Sequence, residues 1–337
     1  MKNKFKFSGI ITLAALIGFI ITASGITVAV DLKTLQSGTK DIAKQRTVEK
    51  NTGEWKSRSA TLKNTGEAEF MIRVGDIDAL NDPNVKESGY DPFTAESPHP
   101  HGYPWDLDPS DPPGTDRIYV GSKWKGGAQD GYASNFVEYK QGGNQGKAFG
   151  EGALTITMDY NLSGISVKNA LLQICLDDFQ APVWNSNFTV TLNGKNASFI
   201  AELINQVSQT GPTCHIASFV IPSNFFADVA SGKLVITIDE TTGCGDGYAV
   251  DFVRLLVNYK ESVFSGSFSG KTEPGATVRL VGTSTTVIAA SDGSFSMKAI
   301  PGLNVVHASK AGYKGSYNSG VVLSSGTQWE PNIPLSR

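Results

Sequence analysis

The chain has 337 residues, a formal net charge of −3 and 40% hydrophobic side chains. Charge this close to balance excludes a nucleic-acid partner, and the apolar content is that of a packed core rather than a disordered chain. Gly is abundant at 36 and Cys is limited to 3, which rules out a disulfide-built scaffold, while the length leaves room for two ordinary domains.

At the N-terminus, Lys2, Lys4 and Lys6 precede residues 7–30, which carry no charge and are strongly apolar over residues 10–21. Small residues follow at Ala23-Ser24-Gly25 and at Thr27-Val28-Ala29. Residues 1–25 therefore read as a signal peptide, with an uncleaved membrane anchor as the alternative. Both readings export the remainder, because positive charge stays inside; contact with a membrane is expected only in the uncleaved form. No Cys ends the apolar run, which argues against a lipid-anchored form.

Residues 26–57 are polar and irregular and read as a linker. A first strand is expected over residues 68–74. Residues 75–117 form a long loop rich in Asp, Pro, Gly and aromatics, of a length that is usually functional. Its aromatics (Tyr90, Phe93, Tyr103 and Trp105) argue for order.

From Ile118 the strand signals become regular. Residues 153–160 alternate apolar and polar, the period of a half-buried strand. Residues 169–176 are continuously apolar, suiting a strand buried on both faces, with Cys175 as a small buried hydrophobe. Residues 188–194 alternate and end in an Asn193-Gly194 turn. A short helix is expected over 200–207, a strand over 216–221 and a helical turn over 225–230. Strands over 234–239 and 248–259 close the region. Short strands separated by turn chemistry predict an all-β fold, with residues 58–260 a jelly-roll-like antiparallel sandwich.

Residues 261–337 form a separate small β-sandwich. Here Pro274-Gly275-Ala276-Thr277-Val278-Arg279-Leu280, then Asp292-Gly293-Ser294-Phe295, Ile300-Pro301-Gly302 and Gly312-Tyr313 follow in order. This run resembles the carboxypeptidase regulatory-like, transthyretin-like family of seven-stranded sandwiches. The resemblance implies a spacer or stabilising appendage, with Val278, Leu280, Phe295, Val305 and Val321 facing inward.

The larger region is similar, more loosely, to galactose-binding-like and carbohydrate-binding-module sandwiches. That likeness rests on residues 168–174, on Thr191-Leu192-Asn193-Gly194 and on the closing strand at 247–255. It implies a structural calcium where first and last strands meet, and aromatic platforms for sugars. The residues supply candidates for both. Antiparallel pairing of the first and last strands would gather Asp76, Asp78, Asp246 and Asp251, the oxygen donors a hard cation needs; the same Asp residues also suit turn caps. Tyr103, Trp105, Trp124 and Trp184 sit beside loop residues where they would stack on sugar rings, or else pin loops by burying apolar area. Cys214 and Cys244 both neighbour turn residues and are the pair expected to join in an oxidising compartment.

The chain has no Gly-x-Ser-x-Gly elbow, no His-Glu-x-x-His and no phosphate-binding loop. His99-Pro100-His101 lacks a third metal partner. The sequence thus predicts a secreted or surface-attached non-enzymatic binding module, for extracellular carbohydrate, with calcium as a structural cofactor. The alternative is a structural or adhesive surface protein making protein–protein contacts. A third reading is a glycoside-active enzyme with paired carboxylates in the Asp-rich loop.

Overall fold

Period-two patterning turns directly into strand faces. The computed structural model describes residues 42, 44–82, 90–94, 108–123, 149–209, 213–244, 247–324 and 329–337. Among these the first unit contains β1 (Ser59–Lys63), β2 (Ala68–Val74), β3 (Ile118–Val120), β4 (Phe149–Glu151), β5 (Leu154–Asp159) and β6 (Ala170–Asp177). It continues with β7 (Phe188–Leu192), β8 (Lys195–Asn196), β9 (His215–Val220), β10 (Lys233–Glu240) and β11 (Tyr248–Tyr259). Side chains along β5 alternate strictly between buried and exposed, because one face meets the core and the other meets water.

Two sheets stack face to face. One runs β1-β2-β11-β6-β9 and the other β5-β10-β7-β8. Their facing side chains form the main core, with Phe70, Leu172, Ile174, Val190, Ile236 and Leu255 at its centre. The β6 strand is buried along its whole length. Its inner residues feed this core, while Leu171 and Cys175 enter two smaller apolar clusters on the outer face. Double-sided burial explains the unbroken apolar run read in the sequence.

The outer face of the β11–β6–β9 sheet is covered by segments with weak patterns of their own. Ile77, Leu80, Tyr90 and Phe93 of the Asp-rich loop join Trp55 over Cys175, Ile216 and Phe252. The end of the expected linker is therefore part of the fold. Residues 44–51 are helical, a 3-10 turn follows over Glu54–Lys56, and Trp55 is buried. Arg46 also pairs with the buried Glu67 at 2.8 Å. Residues 1–25 lie outside the described residues, among which no helix is long and apolar enough to cross a membrane.

The second unit contains β12 (Gly266–Thr272), β13 (Thr277–Leu280), β14 (Thr286–Ile288), β15 (Ser294–Ala299), β16 (Gly302–Ser309), β17 (Ser316–Val322) and β18 (Asn332–Ile333). Strands β17-β16-β13-β14 form one layer and β15-β12-β18 the other. Phe268, Val278, Leu280, Phe295 and Met297 fill the space between them.

The unit is not a detached appendage. Strand β16 pairs in parallel with β9 through Leu303 and Ala217, so one sheet runs through both units. Val305 is buried as expected, but it faces the first unit's core together with Leu303 and Val281, and Val321 packs against the same core. Val306 and Val322 are the residues that turn into the second unit's own core. The β16 layer is thus shared between two cores. Arg279 reinforces the junction by donating two hydrogen bonds to Glu202.

Gly302 makes the close approach possible. Its φ is +119°, and a Cβ there would lie 2.4 Å from the Ile216 carbonyl oxygen. Gly302→Ala should cost about 2–4 kcal/mol through forced separation of β16 from β9. The check is the urea midpoint, which should fall while the slope stays constant; an unchanged midpoint would show that the junction tolerates displacement.

Candidate metal centre

The site is created where β11 changes partner. Its first residues pair with β3, Tyr248 opposite Tyr119 and Ala249 opposite Ile118. From Val253 onward it pairs with β2, with Val253 opposite Val74. Between these contacts the register against β6 shifts from Val250 to Val253. Such an irregularity bends a strand and re-aims a side chain, and here it presents Asp251 to the gap between the end of β2 and the start of β3. Residues leaving β2 and residues entering β3 must converge on the same gap. Asp76 and Asp78 come from the exit of β2 and Asp116 from the entrance to β3.

Backbone contacts lock this convergence. The Asp116 amide donates to the Val250 carbonyl at 2.9 Å and the Ala79 amide donates to Asp251 Oδ2 at 3.3 Å. Gly75 is left-handed at φ +89°, and a Cβ there would strike the Asp251 carbonyl at 2.4 Å. Ala79, Leu80 and Asn81 are also left-handed, at φ 58°, 59° and 59°. Each side chain in that region costs roughly 1–2 kcal/mol, so the loop holds strain where it wraps the site.

The carboxylates lie unusually close. Oxygens of Asp76, Asp111 and Asp116 fall within 4.8 Å of one another, as do those of Asp78, Asp116 and Asp251. Asp76, Asp111, Asp116 and Asp251 are all buried, the last two completely. On its outer side Asp111 accepts from Arg58 Nε at 3.1 Å and from Asn81 Nδ2 at 3.2 Å. The nearby Arg73 guanidinium instead donates to main-chain carbonyls of Ser57, Glu54 and Gly75. Asp76 Oδ1 and Asp251 Oδ1 are buried with no hydrogen-bond partner, although buried polar atoms are normally satisfied.

The electrostatics follow from that arrangement. Burial, followed by the Asp76 charge, pushes Asp78 up to about 7. Burial and then Asp111 raise Asp76; burial and then Asp251 raise Asp116. Burial, with Asp78 and Asp76 behind it, also raises Asp251 well above the carboxylate range. The protein by itself opposes full ionisation of the cluster. A divalent cation would reverse that balance, and an all-oxygen donor set suits calcium with its six to eight oxygen ligands.

Of the residues expected to gather here, Asp76, Asp78 and Asp251 do so, and Asp246 lies outside the described residues. Asp111 and Asp116 complete the cluster and were visible only as members of an Asp-rich loop. Of the sugar-stacking candidates, Tyr103, Trp105 and Trp124 lie outside the described residues, as do His99 and His101. Trp184 is half-buried at the end of a helical turn over Ala181–Trp184, with its indole nitrogen enclosed. The expected partners Cys214 and Cys244 are separated in environment. Cys214 is buried beside Cys175 under the Asp-rich loop, Cys244 is exposed, and all three thiols are free.

No family model matches the chain, and no curated protein matches it. Among solved structures it is similar to a variant of BcpA, the major pilin subunit of Bacillus cereus, at 11% identity and a TM-score of 0.17, covering 56% of this chain and 72% of that one. It is also similar to the TIE protein of Bacillus anthracis, at 12% identity and a TM-score of 0.19, covering 57% of this chain and 42% of that one.

Proposed function

We propose that this chain is an exported, non-enzymatic structural protein of the cell surface whose sandwich is locked by calcium. The observation that carries the reading is the buried carboxylate cluster with unpartnered oxygens on Asp76 and Asp251. Calcium would tie the β2 exit, the β3 entrance and the middle of β11 into one rigid joint, fixing the Asp-rich loop on the sheet. The shared β16 layer extends that rigidity into the second unit. This combination suits a load-bearing or contact-making module that folds fully only in calcium-containing surroundings.

A glycosidase needs carboxyl groups at least about 5 Å apart and flanking an accessible bond. Within each trio the aspartate oxygens here are closer than that, and all of the aspartates but the half-buried Asp78 are enclosed, which supports a structural over a hydrolytic role.

Calorimetric titration of chelator-treated protein with calcium should give saturable binding, tighter at pH 8 than at pH 6. The sign follows from Asp78, held near 7, which must lose its proton to ligate. Absence of both binding heat and any change in unfolding temperature would overturn the proposal.

A further inference from the structure

Next to the aspartate site two thiols meet in the layer beneath the Asp-rich loop, with an Asp251 oxygen within 4.8 Å of both sulfurs. Cys175 lies within β6 with Ile216 as its cross-strand partner, and Cys214 immediately precedes β9, which begins at His215. Strand pairing therefore delivers both side chains to the same place. Cys175 is fully buried and Cys214 is 3% exposed. Their sulfurs lie within 4.8 Å of one another, and the Tyr90 hydroxyl lies 3.8 Å from Cys175 Sγ. Trp55, Leu80, Tyr90, Phe93, Ile216 and Phe252 surround them.

We propose that Cys175 and Cys214 form a disulfide bond in the exported protein. Two S–H bonds break and one S–S bond forms. Two protons and two electrons pass to a disulfide-bearing oxidant, which leaves as a pair of thiols. The bond would close the chain over residues 176–213 and pin β9 to β6, the two strands through which the first unit reaches β16. The apolar side chains around the pair, with the Asp251 carboxyl beside both sulfurs, oppose the two thiolates that a zinc ion would require and favour a neutral disulfide. Both thiols are buried under the Asp-rich loop, so the bond is shielded from reductant once that loop is in place.

The test uses the full chain refolded in a mixture of oxidised and reduced glutathione. It is then unfolded in guanidinium with an alkylating reagent and no reductant, digested and mapped by mass. A linked Cys175–Cys214 peptide pair is expected, about 2 Da lighter than the sum of its reduced halves, with Cys244 alkylated. The same link should persist in Cys244→Ser, and under dithiothreitol it should break much more slowly in the folded protein than in guanidinium. Alkylation of both Cys175 and Cys214, a Cys214–Cys244 link, or a zinc ion retained in the native mass would each overturn the proposal.

Discussion

In Asp251→Asn, calcium should no longer raise the unfolding temperature, while the cation-free variant should melt higher than the cation-free wild type. Asp251 is completely buried, its Oδ1 has no hydrogen-bond partner, and Asp78 and Asp76 press their charges on it. An amide there avoids the cost of either protonating that carboxyl or burying its charge without a cation, and is expected to stabilise the cation-free state by about 1–3 kcal/mol. The same change removes one of the three carboxylates of the Asp78–Asp116–Asp251 group. Wild-type protein in calcium at a thousandfold excess over Kd should gain about 4 kcal/mol, or roughly 8–16 °C in unfolding temperature. Differential scanning calorimetry with calcium and with chelator reads both effects. Asp108→Asn is the control, because Asp108 pairs with Arg58 at the rim and its side chain is 41% exposed. An equal calcium response in Asp251→Asn and wild type would remove Asp251 from the site.

Arg254→Met should destabilise the protein by about 3–5 kcal/mol, since it leaves the buried Glu67 charge half stranded, with Arg46 as the remaining ion-pair partner among the described residues. Arg254 is 2% exposed and donates to Glu67 Oε1 at 3.0 Å and to Gln173 Oε1 at 3.0 Å. Its guanidinium also sits 4.2 Å from the centre of the Phe93 ring. The double variant Glu67→Gln/Arg254→Met should lose less than the sum of its singles, because the stranded charge is gone. The pair also sets a pH dependence. Burial by itself would raise Glu67, but Arg254 and Arg46 overcome it and hold the carboxyl at about 2, below its ordinary 4.5. An acid with a depressed folded pKa stabilises the fold above the unfolded value and loses that stability as pH falls through the folded one. Wild type should therefore lose about 3 kcal/mol between pH 4.5 and 2, and Glu67→Gln should flatten that part of the curve. Urea denaturation across this range checks it; parallel curves would show that Glu67 is not the group responsible.

Much of the site was legible because β-strands place residues predictably. The alternation over residues 153–160 and the apolar runs at 169–176 and 248–259 correspond to β5, β6 and β11 within about a residue at each end. Antiparallel pairing of β2 with β11 brings Asp76, Asp78 and Asp251 towards one another. Asp111 and Asp116 lie more than 30 residues beyond Asp78 in a loop without strand periodicity, so no local pattern ties them to β2. What places them is the pairing of β3 with β11, a contact between segments far apart in the chain. The helix over residues 44–51 was read as linker because its burial comes from Glu67 and the Asp-rich loop rather than from an apolar stripe of its own.

The cysteines and the second unit show the same division. Turn residues beside Cys214 and Cys244 describe local backbone and carry no distance, whereas the register of β6 against β9 puts Cys214 beside Cys175. In β16 the sequence marks Val305 and Val306 as equally apolar, and only docking against β9 sends one into each core.

The sequence by itself determined the β class, the strand positions and half of a carboxylate site, because period-two burial and strand-end chemistry are local. Tertiary structure decided which strands meet, that the two units share a layer, and which Asp and Cys residues become neighbours. Those outcomes depend on long-range pairing and on a bulge in β11, where packing of the whole sheet overrides what any short window of residues encodes.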